Sequence, residues 1–111
     1  MSKTIIITGK ARSGKTTKAK ELTKGKKTVW IDPGQLSNAF AFDLVKTDTE
    51  RIVIDGAGLS NKILCIVFCK RIEINKRGSA PFEIDRPELI IVSNEKEWSR
   101  IKGENIEHIQ S

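Results

Sequence analysis

Gly9, Lys10, Ala11, Arg12, Ser13, Gly14, Lys15 and Thr16 spell G-x-x-x-x-G-K-T, and a second threonine, Thr17, follows. Each fixed position suits a polyphosphate. Glycines let a backbone fold closely around phosphate oxygens, a lysine answers their charge, and a hydroxyl can ligate a divalent cation. The β-branched run Thr4-Ile5-Ile6-Ile7-Thr8 leads into the motif, and Lys15 to Leu22 contains neither Gly nor Pro. Strand, loop and helix are therefore expected in that order, which brings backbone N–H groups and a helix N-terminus to the anion. The expected ligand is ATP or GTP with Mg²⁺, cradled by residues 9–17. Lys15 would reach the β- and γ-oxygens, and the Thr16 hydroxyl would bind the metal.

Two more polar residues stand at the ends of apolar runs. Ile52-Val53-Ile54 ends at Asp55, and a carboxylate at the C-terminal edge of a strand can enter a magnesium shell. Asp55-Gly56 also reads as plain turn chemistry. Leu89-Ile90-Ile91-Val92-Ser93 ends at Asn94, whose amide could touch a γ-phosphate or orient an attacking water. Equally, Ser93 or Asn94 could be the N-cap of a following helix. Lys15, Asp55 and Asn94 form the expected catalytic set, with Thr16 and Asp55 as the metal ligands. Gly56 stands where many NTPases place a second carboxylate as general base, so feeble hydrolysis is expected.

The elements that must carry these residues alternate between strand and helix. Strands are predicted over Lys3 to Thr8, Lys27 to Ile31, Arg51 to Ile54, Pro87 to Ser93 and Ile106 to Gln110, and helices over Lys15 to Thr23, Gln35 to Val45, Ser60 to Arg71 and Glu95 to Lys102. The third helix is so apolar that burial on most sides is expected. Between Arg71 and Asp85, Ile72, Ile74, Phe82 and Ile84 alternate with charge around Lys76-Arg77-Gly78-Ser79, which predicts a hairpin. The pattern implies an α/β fold of one domain, residues 1–111. A chain of 111 residues buries about two-thirds of its unfolded surface on folding, which is modest for a phosphate-loop NTPase.

Charge and composition set outer bounds. With 38% hydrophobic and 31% charged residues the sequence is that of a globular protein. The longest strongly apolar stretch, Ile63 to Phe68, is too short to cross a bilayer, and Met1 to Lys10 lacks a signal-peptide pattern, so no membrane association and a cytoplasmic location are expected. Of the net +6, residues 3–27 carry nine bases against Glu21 alone, leaving −2 for the remainder. Lys18, Lys20, Lys24, Lys26 and Lys27 read as a solvated face. Lys70, Arg71, Lys76 and Arg77, around the predicted hairpin, are the better nucleic-acid candidates, with Lys76 and Arg77 at its tip as the contacts, although a solvated tip explains these as well.

Four stretches together resemble a known family. Gly9 to Thr16, Ile52 to Asp55, Ile74-Asn75-Lys76-Arg77-Gly78 to Phe82, and Arg86-Pro87-Glu88-Leu89-Ile90-Ile91-Val92-Ser93-Asn94 look like motifs A, B, B′ and C of the superfamily 3 helicases, the AAA+-related P-loop ATPases of viral and plasmid replication initiators. The resemblance implies a three-layer P-loop NTPase fold with a mostly parallel five-stranded sheet, and a ring of subunits with ATP between them. It also implies a basic hairpin that moves single-stranded DNA through the channel, and association with a larger replication protein. Carried across by position, Lys15 and Thr16 bind phosphates and Mg²⁺, Asp55 holds the metal shell, Asn94 is the sensor, and Lys76 and Arg77 contact DNA. Arg100 would be the arginine finger acting on a neighbour, or else an ordinary surface residue.

Other residues are expected to be structural. Cys65 and Cys69, one helical turn apart, read as buried thiols, since a zinc site needs four ligands and only His108 remains. Phe40, Phe42, Ile63 and Phe68 read as core, and Trp30 and Trp98 as core or else as adenine-stacking surfaces. Two other functions stay open beside the helicase-like ATPase: a small nucleotide or metabolite kinase using Asp32 as base, and a nucleotide-binding module that does not hydrolyse. Sheet order separates the first two. The Pro87 to Ser93 strand lying between the first and third strands favours the helicase-like reading; direct pairing of the first and third favours the kinase.

Overall fold

The computed structural model describes residues 3–9, 14–32, 34, 45–56, 58–74, 78 and 80–110. The expected helix over Gln35 to Val45, with Phe40 and Phe42, lies outside them except for Val45. Five strands form one parallel sheet: β1 (Thr4–Thr8), β2 (Thr28–Ile31), β3 (Arg51–Asp55), β6 (Glu88–Ser93) and β7 (Ile106–Gln110). Their order is β2-β3-β6-β1-β7, so β6 separates β1 from β3. The register sets Ile5 beside Ile90 and Val53 beside the same residue on its other side. Strands buried on both faces need a continuous apolar run rather than an alternating one, as Ile5-Ile6-Ile7, Ile52-Val53-Ile54 and Leu89-Ile90-Ile91-Val92 supply.

Both faces of the sheet are covered. On one, Ile5, Ile7, Val53, Ile90 and Val92 pack with Ala19 of α1 (Lys15–Thr23). On the other, Ile6, Ile52, Ile54, Leu89 and Ile91 meet Ile63 and Val67 of α2 (Asn61–Phe68). Full burial of each such side chain contributes about 1.5–3 kcal/mol before the entropy of ordering the chain is subtracted. The third layer is completed by a hairpin, β4 (Arg71–Ile74) against β5 (Phe82–Asp85), whose Ile72 and Ile74 point into the same core.

The Arg86 guanidinium fixes the corner where this hairpin rejoins the sheet. It is 1% exposed and donates to the carbonyls of Cys69 and Pro87 and to the Thr4 hydroxyl, at 3.2, 2.9 and 2.9 Å. Burial lowers its pKa below the usual arginine value, an effect partly countered by the nearby Cys69.

Four expectations change. α2 does not reach Arg71, because Cys69 turns extended and Lys70 leads into the hairpin; Ser60 caps its start, accepting from the Ile63 N–H at 3.4 Å. Nor is it buried all round: one stripe faces the sheet, while Phe68 is 51% exposed and Cys65 lies in solvent, with Cys69 half-buried. The helix expected over Glu95 to Lys102 is a single 3-10 segment, Lys96–Arg100, held by the fully buried Trp98. Trp30 is 37% exposed rather than core, since β2 is the outermost strand on its side of the sheet. Among the described residues no helix is long and apolar enough to cross a membrane.

Candidate phosphate-binding cleft

Parallel strands all end on the same side, so β1, β3 and β6 deliver the residues that follow them to one edge of the sheet. A cleft of about 440 Å³ opens there, lined by Gly14, Lys15, Thr16, Thr17, Asp55, Gly56, Val92 and Asn94. Three segments that are distant in sequence thus meet around one space.

Gly14 is the N-cap of α1 and sits at φ 88°, ψ 16°, a left-handed conformation that costs a residue with a Cβ more than glycine. Among the described residues no side chain caps the helix and no acid of its own occupies its first turn, so the positive end of its dipole is turned to the cleft and to Asp55 across from it. That turn, Lys15 to Thr17, lines the cleft directly. The Thr16 hydroxyl donates to Asp55 Oδ2 at 3.3 Å, joining the helix start to the end of β3 across the cleft floor. Lys15 is 7% exposed despite its charge.

Asp55 and Asn94 leave neighbouring strands. Asp55 lies opposite Val92 in the β3–β6 register, and the Gly56 N–H continues the pairing one step further by donating to the Val92 carbonyl at 2.8 Å. Gly56 is left-handed, φ 84°, so turn chemistry and the Thr16 contact coexist at Asp55-Gly56. Neither Ser93 nor Asn94 caps the 3-10 segment: its N-cap is Glu95, and the Ser93 hydroxyl instead accepts from the Glu95 N–H at 3.0 Å. Asn94 is exposed and faces the cleft.

Other predicted site residues fall elsewhere. Gly9, at the end of β1, is half-buried and does not line the cleft; Lys10, Ala11, Arg12 and Ser13 lie outside the described residues, as do Lys76 and Arg77. Of the hairpin tip only Gly78 is described among 75–79, exposed and left-handed at φ 78°. The Asp32 carboxylate accepts from the Gly34 N–H at 2.9 Å, which is the geometry of an Asx turn. Arg100 is exposed at the end of the 3-10 segment.

One residue with no expected role stands at the rim. Glu95 follows Asn94, and its Oε2 accepts from the Leu59 N–H at 2.8 Å, 36 positions away. An acid next to the strand-ending amide was the only sign of it in the sequence.

No protein-family model matches the chain, and no curated protein is significantly similar to it in sequence. Solved structures do resemble it. The A-form apo structure of the NrS-1 C-terminal region (305–718) superposes with a TM-score of 0.72 at 19% identity, covering 97% of this chain and 28% of that one. A second A-form apo structure of the same region gives 0.68 at 18% identity, with 97% and 28% covered. A further apo structure of residues 305–718 gives 0.72 at 18%, with 97% and 29% covered. This chain therefore spans less than a third of the region it resembles, and at such identities the likeness is one of fold.

Proposed function

We propose that the chain is a minimal helicase-like ATPase domain that binds ATP or GTP with Mg²⁺ and acts on single-stranded nucleic acid. The observation that carries it is the meeting of Lys15, Thr16, Asp55 and Asn94 around one open cleft at the C-terminal edge of a parallel sheet. The position of β6 between β1 and β3 supports the helicase-like order over the kinase order. The use of Asp32 in a turn further weakens the kinase reading.

In this function the first turn of α1 and Lys15 hold the phosphates, with the helix end supplying partial positive charge in place of bulky cations. Thr16 and Asp55 present two oxygens in an open site, a donor set that fits Mg²⁺, whose remaining positions are normally filled by phosphate oxygens and water. Held by Thr16 and Asp55, Mg²⁺ would supply charge neutralisation for the transferring phosphoryl group. Asn94 lines the same cleft as the helix start, where its amide would orient water toward the terminal phosphate. With Gly56 following Asp55, proton removal from that water is poorly served, so turnover in the isolated chain is slow. That same gap favours, as a second reading, a nucleotide-binding module that does not hydrolyse. A ring would multiply the two cations Lys76 and Arg77 around a channel and bring a neighbour's arginine to each cleft.

The test is nucleotide affinity by calorimetry together with ATP turnover, with and without single-stranded DNA and over a range of protein concentration. Binding that requires Mg²⁺, with weak turnover stimulated by DNA and lost on dilution, is expected. Tight binding with no turnover under any condition selects the inert module. Absence of nucleotide binding refutes the proposal.

A further inference from the structure

The arms that leave β3 and β6 carry Asp55 and Asn94 to the cleft, and two rungs tie them beyond the end of the sheet. The first is the Gly56 N–H to the Val92 carbonyl, at 2.8 Å. The second is the Leu59 N–H to the Glu95 carboxylate, also at 2.8 Å. On the β6 arm Asn94 lies between the rungs; on the other, Asp55 immediately precedes the first. Ser93, 2% exposed, fixes the start of the second rung by accepting the Glu95 N–H. The fit at its far end is close: a Cβ on Gly58 would lie 3.1 Å from Glu95 Oε1.

We propose that Glu95 is a positioning residue whose carboxylate latches the loop after β3 to the exit of β6 and thereby sets the separation of Asp55 and Asn94 across the cleft. The proposal rests on the ATPase reading of that cleft. Pairing in the sheet fixes the β6 arm as far as Ser93, which lies opposite Thr8 of β1, and Asn94 is the first residue beyond it. The second rung ties the residue just after Asn94 to Leu59. An anionic acceptor makes the stronger kind of hydrogen bond, which suits a contact at an exposed rim. Because the phosphates are held by the α1 side, loosening the latch impairs the attack step far more than nucleotide binding. Glu95 does not line the cleft, and one of its oxygens is already engaged by Leu59, which sets it apart from a carboxylate that takes a proton from water.

The decisive comparison is Glu95→Ala with Glu95→Gln in the full chain, read by calorimetry with Mg·ATP, by turnover at saturating ATP, and by hydrogen exchange at the Leu59 amide. Glu95→Ala is expected to lower turnover about tenfold, as loss of one charge-assisted hydrogen bond would, with affinity nearly unchanged and Leu59 exchanging faster. Glu95→Gln keeps an acceptor oxygen and should restore most of the turnover. Gly58→Ala, which crowds the carboxylate without altering it, should reproduce part of the defect. Wild-type turnover in Glu95→Ala, or a glutamine variant as inactive as the alanine one, overturns the latch; so does unchanged Leu59 exchange. If the wild type binds nucleotide without turnover, the shift of the Asn94 side-chain amide on adding Mg·ATP replaces the rate. A shift unaltered by Glu95→Ala again overturns the proposal. If the wild type binds no nucleotide, the ATPase reading falls, and Leu59 exchange still decides whether the latch exists.

Discussion

Lys15 keeps a charged side chain 7% exposed at the mouth of a cleft with no acid in the adjoining helical turn. On the proposed function this amine meets a phosphate, so Lys15→Ala should weaken Mg·ATP binding by roughly tenfold or more, the worth of a charge-assisted contact. Calorimetry measures the loss, and an unchanged melting temperature would show that the fold persists. The thiols of Cys65, in α2, and Cys69, at its C-cap, make a second residue-scale prediction. Burial raises the Cys69 pKa, outweighing the lowering by Arg86, and its Sγ donates to the Ile66 carbonyl at 3.1 Å. Its protonated form is favoured in the fold. The associated stability is complete below the ordinary thiol pKa and is lost as pH rises through the elevated folded value. Mass spectrometry after brief alkylation at neutral pH should find the exposed Cys65 modified first, with Cys69 catching up only in alkali or on unfolding. Equal rates at neutral pH would contradict this.

At the scale of elements, the hairpin contains a flaw that can be corrected. Glu73 and Glu83 stand directly opposite each other across β4 and β5, while Arg71 reaches Glu83 at 3.3 Å and Asp85 at 3.1 Å. Like charges in register oppose pairing, so Glu73→Lys should stabilise the protein by roughly 0.2–1 kcal/mol, less at high salt, as measured by urea denaturation. The alternation of Ile72 and Ile74 with charge made this hairpin legible in the sequence, as unbroken apolar runs did for β1, β3 and β6. What stayed illegible has physical causes. A run such as Ile63-Leu64-Cys65-Ile66-Val67-Phe68 states how apolar a helix is, not how many of its sides a neighbour will cover. The residues from Glu95 to Lys102 contain helix formers, but one large anchor, Trp98, decides the local geometry by where its ring must go. Trp30 could be placed only once β2 was known to be outermost. In the cleft, Gly14 to Thr16, Asp55 and Asn94 were legible because each sits at a fixed offset from a strand or helix end. Glu95 was not, because its meaning depends on Leu59, a residue that spacing alone does not bring near.

At the scale of the whole molecule, strand order governs which parts depend on which. The cleft draws on β1, β3 and β6, whose neighbours in space are far apart in sequence, so no contiguous half of the chain contains a complete site. The strand that carries the phosphate motif has just two partners, β6 and β7, and both lie within the last 24 residues. During synthesis Thr4-Ile5-Ile6-Ile7-Thr8 therefore emerges long before either of its partners. Until Glu88 and its successors leave the ribosome, five β-prone residues with no charge among them have no native strand to pair with, which is the profile of a segment that joins other copies of itself. A fragment ending at Asp85 should accordingly aggregate when expressed, and lysines placed at Ile5 and Ile7 should keep that fragment dispersed while preventing the full chain from folding. A soluble, monomeric wild-type fragment would contradict this. The arrangement that buries the phosphate strand at the heart of the finished sheet leaves it the most vulnerable piece of the nascent one.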